Sequence, residues 1–187
     1  METKAEILHL LQQYAKQYPG EQTAADVITN FVQQHNDDEL FNRKNFSGHI
    51  TASAFILNEK GNRLLLLKHK FLNRWLQPGG HVDYTDASLI AAAQREAEEE
   101  TGLKAAELQV VTDTIFDIDS HAIPENLNKH EPAHVHHDIR FLFQSLTDEI
   151  NIANKESTGS KWVPLKELTE DETISRAANK IFSFYRG

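Results

Sequence analysis

Three glutamates lie close together near the middle of the 187-residue sequence: Glu96, Glu99 and Glu100. Successive residues of an α-helix are rotated by about 100°, so these side chains fall within an arc of about 100°, while Glu98 points to the opposite side. Three carboxylates on one helix face repel one another unless water screens them or a hard cation such as Mg²⁺ binds them. The spacing alone is typical of a solvated helix face, and a metal site requires support from the surrounding sequence.

That support comes from the residues on either side of the glutamates. Upstream, residues 75–81 read Trp-Leu-Gln-Pro-Gly-Gly-His, and a glycine pair lets backbone atoms approach a ligand because no Cβ intervenes. The same segment is also compatible with an ordinary turn. A helix is predicted over residues 88–101, with Asp86 or Ser88 as its N-cap and Gly102 as its left-handed end.

Gly80, Asp86 and the run Arg-Glu-Ala-Glu-Glu-Glu-Thr-Gly-Leu at residues 95–103 together resemble the signature of the Nudix hydrolase family. That signature is G-x5-E-x7-R-E-U-x-E-E-x-G-U, where U is aliphatic. Ala97 is a small residue at an aliphatic position. Asp86 replaces a glutamate, and eight residues instead of seven separate it from Arg95. The extra residue precedes the glutamates or lies at the start of their helix, so their geometry is retained and the role of Asp86 is open.

The resemblance implies a divalent-metal site. Glu96, Glu99 and Glu100 would bind Mg²⁺, or Mn²⁺ in its place, and the carbonyl of Gly80 would be a further ligand. Arg95 would act in catalysis by orienting a carboxylate through charge-assisted hydrogen bonds.

The general base is less well defined by the sequence. Glu99 is the first candidate, because in this family the base is a glutamate of the motif helix or an acid on a later loop. Residues 117–132 form a long polar segment with the length of an active-site loop, and it contains the alternatives Asp119, Glu125 and Glu131.

The activity implied by the resemblance is hydrolysis of a phosphoanhydride bond in a nucleoside diphosphate linked to another group. Two alternatives share the fold. An isomerase of the isopentenyl-diphosphate type needs a catalytic cysteine, and the sequence contains none. A regulatory Nudix domain that binds a nucleotide without catalysis usually loses motif glutamates, whereas all three are present here.

Two groups of residues are candidates for substrate binding. Lys68, Lys70 and Arg74 belong to a stretch between Gly61 and Gly80 that has four cations and no acid, and they could contact phosphate oxygens or be solvated. Read as a strand, residues 135–146 place His136, Asp138 and Arg140 on the face away from the core. That row could border the substrate through His136 or Arg140, or simply face solvent.

The remaining elements predict an α/β (α+β) fold: an α/β/α sandwich with a mixed sheet, preceded by an N-terminal helical hairpin. We expect residues 1–45 to form the helical extension and residues 46–187 the Nudix domain. Residues 64–67 are four leucines without polar alternation, which indicates a central strand covered on both faces. Helices are predicted over residues 3–18, from an N-cap at Thr23 through Val32, and over 173–185; strands are predicted over 49–57, 63–68, 108–118, 135–146 and 161–163.

Composition limits the partners. The net charge of −9 argues against general binding to nucleic acid, although a small anionic ligand remains compatible with a local cluster of cations. The sequence has no apolar run long enough for a membrane span, and its first residues do not resemble a signal peptide. We therefore expect a cytoplasmic monomer or homodimer that binds a nucleotide or another small diphosphate.

Overall fold

The computed structural model describes residues 1–127, 130–152, 157–169 and 172–185, so the predicted loop 117–132 lies partly outside the described residues. The helices are α1 Lys4–Gln17, α2 Gln22–Gln34, α3 Asp37–Leu40, α4 Leu89–Thr101 and α5 Glu172–Phe184. The strands are β1 His49–Leu57, β2 Arg63–His69, β3 Arg74–Leu76, β4 Gly79–His81, β5 Leu108–Val110, β6 Asp117–Ile123, β7 His134–Ser145 and β8 Ser157–Pro164.

A mixed sheet forms the centre of the molecule, as the sequence predicted. Its main path runs β3-β2-β1-β7-β5, and β4, β6 and β8 pair with β1, β7 and β2 respectively. The pair β1 and β7 is parallel, with His49 opposite His136 and Leu57 opposite Gln144, and the other pairs are antiparallel. This pairing brings residues near 50, 80, 120 and 136 onto neighbouring strands.

Helical layers cover both faces of the sheet. One apolar cluster contains buried residues of α1, α2 and α4 together with Ile50, Ala52 and Ile139 of the sheet. A second cluster on the other face joins Phe55 and Leu142 to α5. Strand β1 is buried along its whole length, and the four leucines of β2 are at most 4% exposed, which confirms a central strand covered on both faces.

The N-terminal hairpin is present, with a different start for its second helix. Helix α1 begins with a capping box in which Thr3 and Glu6 satisfy each other's backbone N–H groups. The predicted N-cap at Thr23 is wrong, because a 3₁₀ turn over Pro19–Glu21 continues directly into α2 and leaves Glu21 at the cap position. Thr23 is therefore inside the helix.

Two predictions in the second half of the chain are also wrong. The strand expected over residues 108–118 is divided into β5 and the start of β6, with irregular backbone between them. The segment expected to be a loop from residue 117 begins instead with the seven-residue strand β6, which pairs with β7 along its length. Its alternating polar residues belong to an antiparallel strand.

A buried ion-pair network connects helix α5 to the sheet and to the N-terminal hairpin. The carboxylate of Asp117 is fully buried and accepts hydrogen bonds from Arg140, at 3.2 Å, and from Lys180, at 2.7 Å. Arg176 donates to the same carboxylate at 2.8 Å. Lys180 also lies 2.8 Å from Glu21 beside the hairpin, so α5 is tied to both the sheet and the N-terminal helices.

Across the described ranges, no helix combines the length and the apolar character that a membrane crossing requires.

The packing of the hairpin can be tested with a pair of neighbouring residues. Ile28 is fully buried in the cluster shared with the sheet, whereas Val27 is 46% exposed. We expect Ile28→Ala to lower the free energy of unfolding by about 2–5 kcal/mol because it leaves a cavity. Val27→Ala should change it by less than about 1 kcal/mol. Urea denaturation measures both values, and a small effect of Ile28→Ala would mean that the hairpin is not part of the main core.

Candidate metal-dependent active site

The helix that carries the three glutamates has the ends that the sequence predicted. The side chain of Ser88 accepts a hydrogen bond from the N–H of Ala91 at 3.2 Å, so Ser88 is the N-cap and Asp86 is free for another role. At the other end, Gly102 adopts φ +73°, and its N–H donates to the carbonyl of Glu98 at 2.9 Å. Glycine adopts this left-handed conformation without the steric penalty of a Cβ.

The glutamates of α4 lie against the glycine turn. The backbone N–H of Gly79 donates to Oε2 of Glu100 at 3.0 Å, and only 8% of Glu100 is exposed. A Cβ added at Gly80 would lie 2.6 Å from Oε2 of Glu96, so the absence of a side chain there allows this close approach. The side chain of Glu99 is 58% exposed and lies at the open side of the helix.

Arg95 joins the helix to the loop that precedes it. Its Nη1 donates to Glu96 at 2.9 Å and to Glu99 at 3.2 Å. Its Nε and Nη2 form a pair of 2.9 Å bonds to the two carboxylate oxygens of Asp86, and Nη2 also donates to the carbonyl of His81 at 2.9 Å. Arg95 therefore orients two of the three glutamates.

The structure gives Asp86 a definite role despite the extra residue in the sequence. Its side chain is only 6% exposed. Burial on its own would raise the pKa of this carboxyl, but hydrogen bonds from Arg95 and from the N–H of Asp83 outweigh burial and hold the pKa below its usual value. Asp86 is therefore ionised and anchors the guanidinium of Arg95. The two parallel N–H groups of a guanidinium match the two oxygens of a carboxylate.

Glu96 is a partly buried glutamate whose negative charge is disfavoured by its surroundings. Burial raises its pKa above the usual value, hydrogen bonding to Arg95 opposes the shift, and the charges of Glu99 and Asp83 add to the increase. Several carboxylates thus surround one guanidinium. This excess of negative charge favours the binding of a divalent cation.

A second group of potential ligands lies beside this site. His49, His81 and His136 each offer one atom, and these atoms all lie within 4.8 Å of one another. Among the described residues no other set of three possible ligands is equally compact. The three glutamates do not form such a set: Glu96 and Glu99 share Arg95, and Glu100 bonds to the backbone of the turn.

His49 and His136 of this group are uncharged at neutral pH. Burial, together with the neighbouring imidazoles, lowers the pKa of His136 to about 2 and that of His49 to about 4. Each therefore retains one ring nitrogen with an available lone pair.

The chain is similar to known proteins in both sequence and fold. The model of the NUDIX domain matches residues 48–184. The chain belongs to the Nudix family. A relative from Lactococcus lactis subsp. cremoris, named a probable DHNTP pyrophosphohydrolase, is 31% identical over 115 residues, which are 62% of this chain and 65% of that protein. The aligned region thus spans just under two thirds of the relative's length.

Solved structures with the same fold include an Ap4A hydrolase and a MutT protein. The binary complex of the C. elegans Ap4A hydrolase has a TM-score of 0.57 and 21% identity, with 74% of this chain and 98% of that chain covered. The MutT protein from Methanosarcina mazei Go1 has a TM-score of 0.51 and 25% identity, with 74% and 94% covered. The sandwich with its mixed sheet is therefore the Nudix fold.

The cations predicted to bind substrate lie around the β2–β3 hairpin of this Nudix domain. Lys68 donates to the carbonyl of Asn73 at 2.6 Å, and its ammonium is 5.9 Å from the ring of Trp75. Lys70 and Arg74 are exposed. Sequence reasoning did not find Lys161, whose ammonium lies 4.2 Å from the same ring, because β8 pairs with β2 across almost 100 residues.

The prediction for Arg140 needs correction. Its side chain is 3% exposed, and its three nitrogens donate to Asp138 at 2.7 Å, Asp117 at 3.2 Å and Asp119 at 3.1 Å. The row that was expected to face substrate or solvent is covered at Asp138 and Arg140. Each nitrogen of the Arg140 guanidinium thus bonds to a carboxylate inside the protein, and the side chain is buried away from any solvent-accessible phosphate site. His136 is partly exposed, and its contact with substrate stays a prediction.

The alternative general bases have different surroundings. Asp119 belongs to β6, and besides its bond to Arg140 it lies 3.0 Å from Nδ1 of His121. Glu131 forms an ion pair with Arg43 at 3.2 Å, and Glu125 is exposed. Asp119, Glu131 and Glu99 each form an ion pair, and Glu99 is distinguished by being the most exposed carboxylate of the motif helix.

Sequence reasoning did not find His49 and His81 as partners of His136. Both residues were within predicted segments, at the start of β1 and just after the glycine pair. Their proximity follows from the registers Thr51 opposite His81 and His49 opposite His136, which a single sequence does not reveal.

The role of Asp86 predicts a pH-dependent contribution to stability. Because its pKa is lower in the folded state than in the unfolded chain, ionised Asp86 stabilises the fold above a pH of about 4, and that contribution disappears as the pH falls through the folded-state pKa. We expect Asp86→Asn to lower the free energy of unfolding at pH 7 by about 2 kcal/mol. The difference from wild type should shrink as the pH is lowered towards 3. Urea denaturation over this range measures it, and a difference independent of pH would contradict the assignment.

Proposed function

We propose that this chain is a Mg²⁺-dependent hydrolase that cleaves a phosphoanhydride bond, acting on a nucleoside diphosphate linked to another moiety. One observation carries the proposal: Glu96 and Glu100 lie against the turn at Gly79–Gly80 while Arg95 holds Glu96 and Glu99. Membership of the Nudix family supports the reaction class.

The donor set fits the proposed metal. Mg²⁺ and Mn²⁺ take carboxylate, carbonyl and water oxygens, and we assign Glu96, Glu99, Glu100 and the carbonyl of Gly80 as the residues that would hold the ion. When bound, a divalent cation neutralises the charge of the diphosphate and lowers the pKa of an attacking water. The side chains can converge by rotation about their own torsions, because α4 already places them on one face.

The protein groups have distinct tasks in this proposal. Glu99 accepts the proton of the attacking water, since its carboxylate is 58% exposed and is reachable from solvent. Arg95 fixes the orientation of Glu99 and Glu96 and is itself fixed by Asp86. We assign Lys68, Lys70 and Arg74 to the phosphate oxygens that the metal does not neutralise.

The Lactococcus relative favours a second candidate substrate. Its name, probable DHNTP pyrophosphohydrolase, describes a triphosphate substrate, from which attack of water at the α-phosphorus breaks the α–β anhydride and releases pyrophosphate. The same carboxylate site would serve that reaction. A screen of nucleoside diphosphate sugars, dinucleoside polyphosphates, ADP-ribose, nucleoside triphosphates and dihydroneopterin triphosphate with Mg²⁺ or Mn²⁺ separates the candidates. Turnover of a diphosphate-linked compound above the triphosphates supports the main proposal. Preference for a triphosphate supports the second candidate, and binding without turnover of any compound supports a regulatory domain.

Substitution of the motif glutamates tests the catalytic assignment. We expect Glu99→Gln and Glu100→Gln each to reduce kcat for Mg²⁺-dependent hydrolysis by at least about 100-fold, because each loses an anionic oxygen ligand and Glu99 also loses its basicity. Steady-state kinetics on the best substrate of the screen measure the loss.

Glu98→Gln is the matched control, since Glu98 lies on the other side of the helix and contacts Lys104 at 3.2 Å. It should retain activity, and circular dichroism should show the same fold for all three variants. Full activity in Glu99→Gln and Glu100→Gln would refute the assignment.

A further inference from the structure

Three strands bring His49, His81 and His136 together on one face of the sheet. His49 lies directly opposite His136, and His81 lies opposite Thr51, two residues along β1 from His49. The ring centroids are 5.1 Å apart for His49 and His81, 4.6 Å for His49 and His136, and 5.4 Å for His81 and His136. The mechanism proposed above uses none of these imidazoles.

His49 has the hydrogen-bonding arrangement of a metal ligand. It is fully buried, and its Nδ1 lies 3.4 Å from the carbonyl of Asn45, which can only accept a hydrogen bond. The neutral ring therefore carries its proton on Nδ1 and a lone pair on Nε2. That Nε2 is buried and has no hydrogen-bond partner within the described part of the chain. A ligating histidine commonly donates its other N–H to a backbone carbonyl in this way.

The neighbouring His134 determines which ring nitrogen of His136 carries the proton. Nδ1 of His134 lies 2.7 Å from the carbonyl of Pro132, so Nδ1 carries the proton in the neutral ring. Nε2 of His134 then accepts a hydrogen bond from Nε2 of His136 at 3.1 Å. This leaves a lone pair on Nδ1 of His136.

Three imidazole nitrogens favour a different ion from the one proposed for the glutamates. Imidazole nitrogens suit Zn²⁺ and other late first-row divalent ions, whereas Mg²⁺ prefers oxygen. Zn–N bonds of about 2.1 Å place tetrahedral ligand atoms about 3.4 Å apart. Ligand atoms that already lie within 4.8 Å of one another reach that distance by small side-chain rotations.

We propose that His49, His81 and His136 form a binding site for Zn²⁺ or a similar transition-metal ion, separate from the carboxylate site of α4. His81 and His136 are partly exposed, so the site is open to the fourth ligand that a three-histidine zinc ion requires. The two sites face opposite sides of β4: the Cβ direction of Gly80 meets Glu96, and the side chain of the next residue, His81, points the other way. An ion bound there would connect β1, β4 and β7.

This proposal goes beyond the hydrolase function and can be tested without a substrate. Chelator-treated protein is titrated with ZnCl₂ by isothermal calorimetry in excess Mg²⁺, which occupies oxygen sites and competes weakly for imidazole. We expect one equivalent of Zn²⁺ to bind, with a rise in the midpoint of thermal unfolding. His49→Gln, His81→Gln and His136→Gln should each weaken binding by at least about tenfold. Co²⁺ should give the visible absorption of a nitrogen-ligated tetrahedral ion in wild type and lose it in the variants.

Two controls separate this site from others. His9→Gln changes an exposed histidine of α1 and should leave Zn²⁺ binding unchanged. Glu99→Gln should also retain it, so that a failure of the hydrolase proposal is distinguishable from a failure of this one. The proposal is overturned if wild type binds no Zn²⁺ in excess Mg²⁺, or if two or more folded histidine variants bind it as tightly as wild type.

Discussion

The guanidinium of Arg95 connects the parts of the chain on which the site depends. It bonds to Asp86 in the preceding loop, to the carbonyl of His81 at the end of β4, and to Glu96 and Glu99 on its own helix. Charge-assisted bonds of this kind are strong and directional, so one side chain fixes the loop, the strand and the helix relative to one another. Removal of its carboxylate anchor at Asp86 would free the guanidinium and, with it, the two glutamates.

The sheet supplies the second constraint. Because β1 runs parallel to β7 and antiparallel to β4, residues remote in sequence become neighbours with a fixed register. Successive residues of β4 face opposite sides of the sheet. Glu96 packs against Gly80 on the side of α4, and His81 lies with the other histidines on the opposite side. Oxygen and nitrogen donors are thereby separated although they come from adjacent residues.

The sequence was most informative where local chemistry determines structure. Ser88 and Gly102 define the ends of α4, and the four leucines of β2 are buried as their lack of alternation indicated. Sequence-based prediction failed where pairing between distant strands determines the structure. The length and polarity of the segment from Asp117 suggested a loop, but its first residues pair with β7. Arg140 is buried, and its charge is compensated by three aspartates. The role of Asp86 depended on whether a longer loop still reaches Arg95, which spacing alone does not answer.

The central claim is that the glutamates of α4 hold a divalent cation, and Mn²⁺ binding followed by electron paramagnetic resonance tests it most directly. Free Mn²⁺ gives a sharp spectrum that is lost on binding. We predict that wild type binds Mn²⁺ in a form that excess Mg²⁺ displaces, and that the folded double variant Glu96→Gln, Glu99→Gln loses this Mg²⁺-displaceable binding. Equal Mg²⁺-displaceable binding in wild type and variant would contradict the account.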